Sequence, residues 1–106
     1  MAISERYRQI YDQIEQRADR LYEELPADAA KALRLVDQAA EELQDQLDAV
    51  GEIPQYQLDQ RLSPVLLKVH AQLDRARVLL EADGQDQAGA GIWELEQLIY
   101  RLLNDL

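Results

Sequence analysis

From end to end the chain repeats apolar residues at steps of three and four, the spacing of one face of an α-helix. No segment follows the two-residue rhythm of a strand. The first row runs Ile3, Tyr7, Ile10, Tyr11, Ile14, Ala18, Leu21, Tyr22 and Leu25. At about 100° per residue these positions share an arc roughly 120° wide, so one face is buried and the other is wet. Pro26 stops that helix, because proline disfavours helical geometry in the residue before it and has no N–H of its own. A second row, Leu33, Val36, Ala40, Leu43, Leu47 and Val50, keeps a heptad rhythm up to Gly51, where a left-handed cap is expected. Ala29, Ala32 and Ala39 border it and allow a neighbouring helix close.

A third row, Leu58, Leu62, Val65, Val69, Leu73, Ala76 and Leu80, is interrupted by Ser63 and Pro64. Ser63 suits an N-cap and Pro64 the first helical position, which makes residues 55–62 a separate short helical turn. The competing arrangement is one helix with a proline kink. Gly84 is the expected cap at the far end, and the segment GQDQAGAG after it is expected to be the most flexible internal stretch. The pattern predicts an all-α fold: an antiparallel four-helix bundle-like arrangement with helices near 3–25, 28–50, 64–83 and 90–105, and a short extra helical turn before the third. A length of 106 residues suits a single helical domain, 1–106. The short first links imply up-down topology.

The last helix carries more apolar surface than such a bundle needs. Ile92, Leu95, Leu98, Ile99, Leu102, Leu103 and Leu106 form one broad face. Trp93 and Tyr100 extend it beyond Glu96 to an arc near 220°, at about 100° per residue. The third helix is two-faced as well, with Leu67, Ala71, Val78 and Ala82 opposite its main stripe. Four helices leave little protein to wrap both, so a second molecule is expected to cover Trp93, Tyr100, Leu103, Leu67 and Val78. Tryptophan and tyrosine, enriched at protein interfaces, suit that role.

Most chemistries are not expected. Without cysteine there is no disulfide framework, thiolate site or cysteine nucleophile. The single histidine, His70, has Leu67 three residues before it, which excludes the Glu-x-x-His pairs of di-iron bundles. His70 and Asp74, four apart, suit a boundary imidazole held by a carboxylate better than a metal site. Ser4 and Ser63 read as helix-start residues, and no phosphate-binding loop or nucleophile elbow occurs. No catalytic residue, metal or cofactor is therefore expected, and the chain is not expected to be an enzyme. A net charge of −10 makes direct nucleic-acid binding unexpected. The N-terminal stretch lacks an apolar h-region, and nothing approaches the length of a membrane span, so a cytoplasmic protein with no membrane association is expected.

Two functional readings follow. The first is a non-enzymatic protein–protein interaction module, such as an adaptor, a small chaperone or an assembly factor, forming a homodimer or docking a protein partner through the third and fourth helices. The alternative is an acidic inhibitor or nucleic-acid mimic that engages a basic protein. Between Arg34 and Arg61 the chain has acids but no Lys or Arg, and Asp37, Glu41, Asp45 and Asp48 gather on one side of the second helix. A solvated face, or an acidic composition suited to a salty habitat, accounts for the same residues.

Overall fold

A computed structural model describes residues 2–106. Four α-helices form, α1 (Ile3–Glu24), α2 (Ala30–Gln44), α3 (Leu58–Ala82) and α4 (Asp86–Asn104), and no strand occurs among the described residues. Each helix packs against the next, and α1 closes the bundle onto α4. Cross-helix pairs fix the directions. Arg6 meets Asp105 and Arg17 meets Glu94, so α1 and α4 are antiparallel. Tyr7 reaches Leu43 and Tyr22 reaches Asp37, which makes α1 and α2 antiparallel. Arg77 meets Glu96 while Glu81 lies against Gly89, so α3 and α4 are antiparallel, and α2 must run opposite to α3. The result is an up-down-up-down bundle, 43 × 21 × 20 Å.

The core follows the periodicity with two differences: on α3 Leu66 is enclosed and Val65 only partly buried, and on α1 Tyr22 is exposed. Tyr7, Ile14, Val36, Leu43, Leu62, Leu66, Leu73, Ile92, Ile99 and Leu102 are fully enclosed. Leu25 adopts extended backbone ahead of Pro26 and ends α1 where expected. After a 3-10 turn over Ala27–Ala29, α2 begins.

At three places the structure departs from the sequence reading. First, α2 ends at Gln44 and not near residue 50. The chain continues in tighter turns, with Gln46 N–H bonded to Leu43 O and Leu47 N–H to Gln44 O. These turns keep Leu47 and Val50 packed on the core, so the apolar rhythm outlasts the helix. Gly51 is no left-handed cap; it lies in a 3-10 turn, Val50–Glu52. A Cβ there would stand 3.3 Å from the Arg8 guanidinium, which donates to Leu47 O.

Second, α3 runs unbroken through Pro64, and only the 3-10 turn Gln55–Gln57 precedes it. Ser63 is not an N-cap, and its hydroxyl donates to the Asp59 carboxylate at 2.5 Å. An interior proline costs about 3 kcal/mol. Leu58 and Leu62, both buried, contribute about 1.5–3 kcal/mol each by staying on the stripe, which outweighs that cost. Pro64 itself is exposed on the outer side.

Third, α4 starts at Asp86, so most of GQDQAGAG is helix. Gly84 is the expected cap, at φ +78°, with Gln85 N–H bonded to Leu80 O and Gly84 N–H to Glu81 O. Gly89 and Gly91 are buried by close neighbours. A Cβ on Gly89 would lie 2.9 Å from Glu81 Cγ, and one on Gly91 2.9 Å from the Arg17 guanidinium. These glycines admit α3 on one side and α1 on the other.

Candidate functional site: the outer face of the third and fourth helices

Six large apolar side chains are exposed among the described residues, and four of them belong to α3 and α4: Leu67 (59%), Val78 (50%), Trp93 (52%) and Tyr100 (55%). Eleven residues separate Leu67 from Val78 and seven separate Trp93 from Tyr100. At about 100° per residue, each pair is aligned to within about 20°. On α3 the pair lies on the α4 side of the outward face; on α4 it lies on the α3 side. The antiparallel register set by Arg77 with Glu96 and Glu81 with Gly89 brings Val78 level with Trp93, and Ala71 level with Tyr100. The four positions thus flank one seam, and the Trp93 side chain also lines a groove with Gln13, Leu98 and Arg101 on the α1 side of α4. Around the seam the outward rows hold Pro64, Lys68, Ala71, Arg75 and Ala82 from α3, and Asp86, Ala90, Gln97 and Asn104 from α4. With Asp74, Arg77 and Glu81 at the seam itself, three bases face three acids here, and Lys68 is paired with Glu42 of α2.

Leu103 does not belong to that exposed set. It is half-buried and packs against the core, because its position on α4 points towards α3.

Under the seam lies a charged cluster. Glu96 is 2% exposed, the one buried charged side chain among the described residues. Its Oε2 accepts from Arg77 Nε at 3.2 Å, and its Oε1 is 3.8 Å from His70 Nε2. The same guanidinium donates to Asp74 at 2.6 Å and to Glu81 at 3.0 Å. One cation therefore serves three carboxyl groups. Burial, and next the neighbouring Asp74, push the Glu96 carboxyl up to about 7. Hydrogen bonding from Arg77 holds Asp74 below the usual carboxylate range. His70 thus faces Glu96 across the seam, and no group of three or more metal-binding side chains assembles among the described residues.

In the sequence Glu96 is only a residue that the apolar arc of α4 passes over, with no role of its own. The available signal was a carboxylate inside that arc, with Arg77 on the facing side of the preceding helix.

The acidic residues do not make one helical row. Asp37 and Glu41 lie in α2, whereas Asp45 and Asp48 follow its end, because the helix gives way to tighter turns after Gln44. Asp37 accepts a hydrogen bond from the Tyr22 hydroxyl, and neighbouring Glu42 pairs with Lys68 at 2.8 Å. The main hollows of the surface are open grooves, such as the one lined by Arg17, Arg20, Gly91 and Glu94. No helix among the described residues is long and apolar enough to cross a membrane.

No protein family, curated protein or solved structure matches this chain.

Proposed function

We propose that the chain is a non-enzymatic interaction module of the cytoplasm that pairs with a second copy of itself through the outer face of α3 and α4. The observation that carries this reading is the gathering of Leu67, Val78, Trp93 and Tyr100 along one seam. At about 150–250 Å² for a large side chain, these half-exposed groups leave on the order of 400 Å² of apolar area in water. Patches of that size on soluble proteins are often functional. Contact through the acid-rich α2 side would set like charges against each other, whereas the α3–α4 face offers exposed apolar side chains among balanced charges, with Lys68, Arg75 and Arg77 against Asp74, Glu81 and Asp86. An interface of this kind is held by apolar area and is little weakened by salt.

Sedimentation equilibrium across the micromolar range, at low and high salt, tests the reading. A dimer is expected at both. Trp93→Ala and Tyr100→Ala are expected to shift the protein to monomer with an unchanged helical circular-dichroism spectrum. A monomer at every concentration, or dimers indifferent to both substitutions, would remove it.

A further inference from the structure

A row of hydrogen-bond donors crosses the flank of α1 that faces α4. Gln16, Arg17 and Arg20 follow Gln13 at steps of three, four and seven, so at about 100° per residue the four share one side of the helix. The acids of the same turns, Asp12, Glu15 and Asp19, are on its other flank and outer side. With Leu95 of α4 the four donors line one hollow, and no acid is in its wall. Arg17 and Arg20 also line the adjoining hollow of about 310 Å³, with Gln87, Gly91, Glu24 and Glu94. We infer that Arg17 and Arg20, flanked by Gln13 and Gln16, form a binding site for a phosphoryl group in the groove between α1 and α4.

The Arg17 guanidinium is seated in advance. Its side chain is 28% exposed and lies against the backbone of α4 at Gly91, where a Cβ would stand 2.9 Å from Nη1 and 3.0 Å from Cζ. Glycine within a helix is unfavourable against alanine, and here the room it leaves is filled by this cation. A side chain already held in place loses less freedom when a ligand binds it.

Its donors are also unspent. A guanidinium has five N–H groups. Arg6, Arg8 and Arg77 direct theirs to Asp105, to Leu47 O and to Glu96. Among the described residues neither Arg17 nor Arg20 donates a hydrogen bond, and Arg20 enters no ion pair. Glu94 Oε2 is 3.7 Å from Arg17 Nη2, beyond hydrogen-bond reach, and the Glu94 side chain is 70% exposed.

Glu24 and Glu94 edge the site, and they set what can occupy it. An entering anion must displace Glu94 from Arg17, which a carboxylate of equal charge has little reason to do. A phosphoryl group carries about −1.5 to −2 near pH 7 and three acceptor oxygens, enough to engage both guanidinium forks and a glutamine amide at once. The acid-rich α2 belongs to the opposite side of a bundle 20 Å thick, beyond the screening length of about 8 Å at 0.15 M salt.

The test is amide nitrogen–proton correlation NMR of the intact chain at pH 8, titrated with inorganic phosphate and with glycerol 3-phosphate, against chloride at matched ionic strength. Saturable shifts at Gly91 and at the Nε–H groups of Arg17 and Arg20 are expected with the two phosphates and not with chloride. The tighter of the two names the source, the free ion or a monoester whose body fills the larger hollow. Arg20→Gln and Gly91→Ala are each expected to weaken binding at least about tenfold, the latter by moving Arg17 off its seat while α4 stays helical. Glu94→Gln, which removes the competing carboxylate, is expected to tighten it, and Arg34→Gln on α2 to leave it unchanged. No saturable shift with either phosphate would overturn the inference. So would an affinity that Arg20→Gln or Gly91→Ala leaves intact, that Glu94→Gln fails to raise, or that Arg34→Gln lowers as much as Arg20→Gln does.

Discussion

The hydroxyl of Tyr7, in the middle of the core, donates a 2.7 Å hydrogen bond to the backbone carbonyl of Leu43. That carbonyl belongs to the last turn of α2, where helical acceptors lose their partners. A side chain of α1 thus closes the end of α2, and burial pushes the phenol pKa upward. Tyr7→Phe keeps the ring and removes one of the two bonds to that carbonyl, which still accepts from Gln46 N–H, so a loss of about 1 kcal/mol is expected. Urea unfolding checks it: the midpoint falls while the slope stays unchanged.

The glycines of the α3–α4 connection separate three effects in one set of substitutions. Gly84→Ala is expected to cost about 1 kcal/mol, since its φ of +78° disfavours a Cβ. At Gly91 a methyl meets only the far end of the Arg17 side chain, which can swing aside. Helix propensity then dominates, and Gly91→Ala is expected to be neutral or to stabilise by up to about 1 kcal/mol. At Gly89 the obstacle is Glu81 Cγ, close to the α3 backbone and part of the Arg77 pair. Gly89→Ala is expected to fall below Gly91→Ala in melting temperature.

The raised Glu96 carboxyl has a signature in stability. Its value near 7 in the fold, against about 4.5 unfolded, means that the native state binds more protons between those pH values. Stability from this residue is complete below pH 4.5 and falls as pH rises to 7, by on the order of 3 kcal/mol. Asp74 works in the opposite sense: its stabilisation is present above the unfolded value of 3.8 and disappears as pH drops below that. Denaturation of the wild type and Glu96→Gln at pH 5 and pH 8, at concentrations where both are monomers, is expected to show the wild type losing more over that interval. Equal losses would refute it.

Trp93, the only tryptophan, reports directly on the α3–α4 face. At 52% exposure its emission is expected to be that of a solvated indole in dilute protein, and to shift to shorter wavelength as concentration rises. Tyr100→Ala is expected to abolish the shift.

The stripes of Ile10 and Ile14, Val36 and Leu43, Val69 and Leu73, and Ile99 and Leu102 were readable because burial on one side of a helix imposes a period that side-chain chemistry displays. Where two structures share that period, the sequence was silent. Leu47 and Val50 stay in phase through turns that are not α-helix, and Leu58 and Leu62 fit a separate turn as well as a helix continuing past Pro64. Gly89 and Gly91 misled for another reason: glycine marks mobility or tight contact, and only the positions of Glu81 and Arg17 tell which. The exposure of Trp93 and Tyr100 was legible from the width of their arc. The burial of Glu96 depended on Arg77 coming from another helix.

Helix α3 has its broad contacts with α2 and α4, while α1 makes the smaller ones through its buried stripe from Tyr7 to Leu21 and through bonds such as Tyr7 to Leu43 and Arg6 to Asp105. Opening of the bundle therefore has a preferred order. Amide hydrogens of α1 should exchange with solvent through a partial undocking, well before those of α3, whose release requires the whole molecule to come apart. The proposed pairing face, being built from the two helices that part last, would outlive the detachment of the first.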